Sequence, residues 1–138
     1  QYFDLTFENK KISKKKIIDI KKDKTGKLFA FCCECSGIIK GQSLKKRSEL
    51  KKIGLDIGLL FQVTDDLIDF KGDSRIVGKP TKSDKNKGKQ TLVNLSGYNK
   101  TLIFAKSLKN KINKRIKKYG IKSHDLIQSI DFILDRKF

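Results

Sequence analysis

Apolar residues recur at helical spacing through most of this chain, and no segment alternates with period two over strand length, a pattern that predicts helices and no sheet. From Ser13, a residue suited to an N-cap, Ile17, Ile18 and Ile20 mark a short helix reaching Lys24-Thr25-Gly26. Leu28 to Ile39 is apolar enough for a buried helix that Gly41 closes, and a long helix follows from about Leu44 to about Phe70. Residues 1–10 read as a helix end or loop. Residues 71–91 carry Gly72, Gly78, Pro80 and Gly88 among many charges and read as a loop. Two further helices, about Asn99–Tyr119 and Ser123–Asp135, are parted by Gly120, with Ser123 as N-cap of the second. A single proline in 138 residues suits long uninterrupted helices. The expected fold class is all-α, in one domain.

The helix over 53–70 carries the most information. At about 100° per residue, Ile53, Ile57, Leu60, Phe61, Thr64, Leu67 and Ile68 share a face that should be the core stripe. Gly58, Gln62, Asp65 and Asp69 share another, with Asp66 at its edge. Gly54 and Gly58 are small positions where another backbone could approach closely. Asp65, Asp66 and Asp69 in a helix interior oppose helix propensity and repel one another at i,i+4. The plain interpretation is a solvated polar face. Elsewhere, however, the exposed positions are filled with Lys, and none lies between Lys52 and Lys71. Carboxylates at i, i+1 and i+4 supply the oxygen ligands that a hard cation such as Mg2+ takes, leaving sites for water or phosphate.

Charge alone suggests another partner. Lys plus Arg total 33 against 15 Asp plus Glu, for a net charge of +18, which invites a nucleic-acid reading. Only four of those basic residues are Arg, the residue best suited to bidentate base and phosphate contacts, and the Lys residues run from Lys10 to Lys137 without clustering. Lys as a default surface residue accounts for this better. Cys32, Cys33 and Cys35 lack the paired spacing of a zinc site, and the one His, His124, lies far along the chain; they read as reduced thiols packed in a cytoplasmic protein. No apolar run approaches the roughly 18–20 residues of a transmembrane helix. No signal peptide is read at Gln1-Tyr2-Phe3-Asp4.

Four elements together resemble one family. Phe61-Gln62-Val63-Thr64-Asp65-Asp66-Leu67-Ile68-Asp69 resembles the second aspartate-rich motif of the trans-isoprenyl diphosphate synthases. Lys24-Thr25-Gly26-Lys27-Leu28 is similar to their Lys-Thr segment. Gly78-Lys79, Ser83-Asp84 and Gly88-Lys89-Gln90-Thr91 are similar to their phosphate-binding loop, and Gln1-Tyr2-Phe3-Asp4-Leu5 matches the tail of a Gly-Gln-x-x-Asp-Leu element. The elements keep the family's order and cover nearly the whole chain. The family's first aspartate-rich motif has no counterpart here, so the chain is expected to be the C-terminal half of such a synthase, most like the bacterial farnesyl and geranylgeranyl enzymes, with an isoprenoid-synthase helical bundle as its fold.

The resemblance implies head-to-tail prenyl transfer, in which Mg2+ holds the diphosphate of an allylic substrate while isopentenyl diphosphate attacks the allylic carbon. It implies Asp65 as a direct metal ligand, Asp66 and Asp69 as further ligands or supports, and Asp4 as a ligand across the cavity. Lys24, Lys79 and Lys89 would contact the allylic diphosphate, with Thr25 and Gln62 in support, and Asp84 would orient a lysine or a metal-bound water. Arg136, near the C-terminus, could reach the second diphosphate but is not counted among the site residues. A homodimer is usual for the family. Two other functions fit the residues: a non-catalytic helical partner of a synthase, and a basic nucleic-acid-binding protein.

Overall fold

The computed structural model describes residues 12–71 and 90–136, and among them every regular element is helical. Helix α1 spans Lys14–Lys21, a π-turn Lys22–Gly26, α2 Lys27–Ile39 and α3 Leu44–Lys71. After residue 89 come a short α4 (Leu92–Ser96), α5 (Tyr98–Ile116), two 3-10 turns (Lys117–Tyr119 and Ile121–Ser123) and α6 (His124–Asp135). The proposed loop over 71–91 and the segment 1–10 lie largely outside the described residues.

The ends of these helices follow from local chemistry. Ser13 caps α1 by accepting from the Lys16 N–H at 3.2 Å. At the end of α2, Gly41 takes φ +60°. The Gly41 N–H then donates to the Ile38 carbonyl at 2.9 Å and the Gln42 N–H to that of Gly37 at 2.8 Å, the Schellman closure. Thr91 caps α4 through Oγ1 and the Asn94 N–H at 3.1 Å.

Three expectations about local structure need correction. Lys24-Thr25-Gly26 does not end a helix; the backbone stays helical through it as a π-turn, joining α1 to α2. Ser123 does not cap α6: its backbone is helical rather than extended (φ −88°, ψ −4°), and its hydroxyl donates back to the Gly120 carbonyl at 2.6 Å. The cysteines are not a buried cluster. Cys32 is exposed, and Cys33 and Cys35 are half-buried, because no described element covers that side of α2. On the same helix Phe31 and Ile39 are 64% and 81% exposed.

Helix α3 is the centre of the molecule. The expected stripe is largely buried, with Ile53, Ile57, Leu60, Thr64 and Leu67 inside and Phe61 and Ile68 half-buried. A single stripe is too narrow, however: Leu59 and Val63 are buried as well, because α2 packs on one side of α3 and α5 on the other. Leu92 and Val93 of α4, Ala105, Leu108, Ile112 and Ile116 of α5, and Ile130 of α6 complete this core.

The α2–α3 pair is antiparallel and close. A Cβ on Gly54 would fall 2.4 Å from the Phe29 carbonyl oxygen and 2.6 Å from the Ala30 Cα. One on Gly58 would fall 2.5 Å from the Gly26 Cα. These are backbone atoms, so the helices themselves would have to part. Gly58→Ala is therefore expected to destabilise the fold by about 1–3 kcal/mol or more, the usual cost of overpacking, read as a lower urea midpoint.

Burial pushes the Cys33 thiol above its ordinary range, helped by charge on Cys32. In folded single-cysteine variants at pH 8, Cys33 should react with Ellman's reagent more slowly than exposed Cys32. It should accelerate as pH rises toward its elevated pKa, since the thiolate is the nucleophile. Equal rates in the folded protein would contradict the burial of Cys33.

Candidate active site

Asp65, Asp66 and Asp69 lie in the last two turns of α3, and they do not form a solvated face. Asp66 and Asp69 are each 7% exposed, whereas the Asp65 side chain keeps 32% of its surface open. A buried carboxylate needs a partner. For Asp66 it is Lys21 of α1, whose Nζ stands 2.7 Å from Oδ2 with both side chains inside the protein. Asp65 is held on both oxygens: Gln62 donates from Nε2 to Oδ2 at 3.3 Å, and Arg136 donates from Nη2 to Oδ1. The Arg136 guanidinium also lies 4.3 Å from the Phe61 ring centre and donates to the Phe61 carbonyl at 3.4 Å. Phe61 in turn faces Phe29 of α2, with ring centres 6.1 Å apart.

The Lys-Thr segment approaches the same face from α1 and α2. Lys24 is exposed and Thr25 half-buried, both within the π-turn, a form of helix that is rare and frequent at functional sites. The turn is pressed against Gly58 through Gly26 and the carbonyl carbon of Thr25. Gly58, Gln62 and Asp65 follow one another along one side of α3. The Lys-Thr segment therefore packs two turns, about 10 Å, from Asp65 along the helix axis. The Lys-Thr segment, Gln62 and Asp65 thus lie along one side of α3, while Asp66 and Asp69 are buried. Asp4, Lys79, Asp84 and Lys89 lie outside the described residues.

Among the described residues no three His, Cys, Asp or Glu side chains converge to enclose a cation. Mg2+, which keeps several waters and takes substrate phosphates, needs only one or two carboxylates from the protein. Asp65 fits that requirement as the one motif acid whose side chain stays partly exposed, near the end of a long helix, while Asp66 and Asp69 are buried.

Sequence reasoning missed Asp56 and Lys21, and it left Arg136 outside the site. Asp56, 8% exposed, accepts from Arg115 Nη1 at 2.9 Å and has Lys22 and Lys111 each at 3.8 Å. It ties α3 to α5 and to the π-turn. The signal was there, an acid inside the apolar run from Ile53 to Phe61. Lys21 gave no signal, being one Lys/Arg residue among 33, and nothing in the sequence pairs Arg136 with Asp65.

The family model of the polyprenyl synthetases matches residues 1–129. The chain belongs to the polyprenyl synthetase family. Farnesyl diphosphate synthase from Geobacillus stearothermophilus is 31% identical over 107 residues, covering 75% of this chain and 36% of that relative. Two solved structures share the fold. Heptaprenyl diphosphate synthase from Staphylococcus aureus has a TM-score of 0.89 at 18% identity, over 99% of this chain and 55% of its own. Geranyltransferase from Helicobacter pylori, complexed with magnesium and isoprenyl diphosphate, has a TM-score of 0.79 at 27% identity, over 98% of this chain and 44% of its own. The chain thus spans about a third of that curated relative and about half of those structures. The expected helical bundle of this family is borne out. No helix among the described residues is long and apolar enough to cross a membrane.

Proposed function

We propose that this chain supplies the acid-helix side of a Mg2+-dependent prenyltransferase that condenses an allylic diphosphate with isopentenyl diphosphate, giving a short-chain product such as farnesyl or geranylgeranyl diphosphate. One observation carries the proposal: of the three motif acids, Asp65 alone keeps its side chain partly exposed, on a helix against which the Lys-Thr segment packs. Membership of the family and the magnesium and isoprenyl diphosphate in the H. pylori structure support it.

Mg2+, when bound, supplies positive charge against the negative charge that develops as diphosphate leaves. Asp65 would hold it, oriented by Gln62, while Asp66 and Asp69 add negative potential from behind. Lys24, with Thr25, would bind the allylic diphosphate and fix its C–O bond toward the second substrate, with Lys79 and Lys89 assisting and Asp4 completing the metal site. When that bond breaks, its electron pair leaves with diphosphate. The allylic carbon is then joined by the terminal alkene carbon of isopentenyl diphosphate, and loss of a proton restores a double bond. The apolar residues of α2 and α3 would shield the allylic cation from water. A cytoplasmic setting accords with three free thiols, and a homodimer is the assembly we expect of the intact enzyme.

The protein expressed from the complete reading frame that contains these residues is to be incubated with isopentenyl diphosphate and dimethylallyl, geranyl or farnesyl diphosphate, with Mg2+ or with excess EDTA. Elongation that EDTA abolishes is the expected result, and the longest product fixes chain length. Absence of elongation with every donor would overturn the proposal.

A further inference from the structure

The charge balance of Asp65 leads beyond its role as a ligand. We propose that Arg136 is an internal counter-ion for Asp65 that a divalent cation has to displace, so that the C-terminal end of α6 sets the metal affinity of the site; the inference rests on the reading of Asp65 as a metal ligand. Helix α6 stops at Asp135, and Arg136 leaves helical geometry at φ −59°, ψ 131°, its N–H still donating to the Phe132 carbonyl at 2.9 Å. That change of direction accompanies a side chain lodged over Phe61, only 11% exposed, with Asp65 Oδ1 and the Phe61 carbonyl as acceptors. The position is therefore built by three groups of α3 acting on one guanidinium.

Arg136 and a metal ion compete for one oxygen. Gln62 donates to Oδ2 and the Arg136 guanidinium holds Oδ1, so a cation that settles on Oδ1 meets a positive charge already in place. A guanidinium does not deprotonate at physiological pH, so that charge leaves Oδ1 only when the side chain moves. The apparent metal affinity is then the intrinsic one scaled by the fraction of molecules in which Arg136 has moved away. Lys21 does not share this role, because its ammonium is committed to Asp66 on the buried side of the helix.

The test is a calorimetric titration with Mg2+ alone, on the protein from the complete reading frame. The binding heat that disappears in Asp65→Asn defines this site. Arg136→Gln should bind Mg2+ at that site roughly ten- to a hundredfold more tightly, the scale of a charge-assisted hydrogen bond removed from competition. Arg136→Lys, which keeps the charge and loses the planar contact with Phe61, should fall between the two. It carries the same comparison if the Gln variant does not fold. Unchanged or weaker Mg2+ binding in both Arg136 variants, with Asp65→Asn still removing the site, would overturn this inference alone. An Asp65→Asn protein that binds Mg2+ as before would instead overturn the metal-ligand reading itself.

Discussion

Asp65→Asn is expected to lower kcat/KM of the intact synthase about a thousandfold while leaving the fold in place. The substitution keeps the size of the side chain and its contact with Gln62 while removing the charge that would hold a divalent cation. Charge stabilisation by a metal is worth several kcal/mol in a transition state, and about 4 kcal/mol corresponds to three powers of ten. The loss should fall on kcat as well as on KM, because negative charge on the departing diphosphate peaks in the transition state. Asp65 is half-buried rather than buried, so its replacement should change thermal stability by much less than that of Asp66. Steady-state kinetics at saturating and limiting Mg2+ check both halves of this expectation. Wild-type turnover would refute the metal assignment.

Lys21→Met is expected to destabilise the protein by about 3–5 kcal/mol, the cost of breaking a buried ion pair by removing one partner. Lys21 and Asp66 are both inside, 2.7 Å apart, and the variant would leave the carboxylate of Asp66 without its ammonium. Against a total stability of roughly 5–15 kcal/mol for a domain, that is a large share. Asp66→Leu should be similarly costly, and the double variant Lys21→Met with Asp66→Leu should recover most of the loss, since replacing a whole buried pair by apolar groups is often neutral. Urea denaturation of the four proteins measures the coupling. A single-variant loss below about 1 kcal/mol, as for surface pairs, would show that this pair is not sealed from water.

The legible parts of this molecule are those whose signal is local in sequence. Asp65, Asp66 and Asp69 stood out because a Lys-filled surface gives way to carboxylates over two turns. Gly54 and Gly58 stood out as small positions one turn apart, and both meet the backbone of the neighbouring helix. The caps at Ser13 and Gly41 are short-range chemistry and were read from single residues. What was not legible depends on which element lies opposite. Leu59 and Val63 are buried only because α3 is covered on two sides. Lys21 finds Asp66, and Arg136 finds Asp65, across long stretches of chain, and nothing local distinguishes either from the other basic residues. Ser123 has the right side chain for an N-cap, but the 3-10 turn before it brings the Gly120 carbonyl within reach first.

The π-turn at Lys22–Gly26 sets the phase of α1. A π-turn holds one residue more than an α-turn, so the side chains of α1 are rotated by about 100° relative to the directions that an unbroken α-helix from α2 would give them. With that offset Lys21 points at Asp66 while Gly26 still fits against Gly58. The constraint is therefore on the number of residues, and composition cannot compensate for it. Deleting one residue from this turn would let the helix relax to regular pitch and swing Lys21 off its carboxylate, even if every remaining side chain were kept. Substitutions within 22–26 act on single contacts, whereas a change of length there re-aims a whole helix.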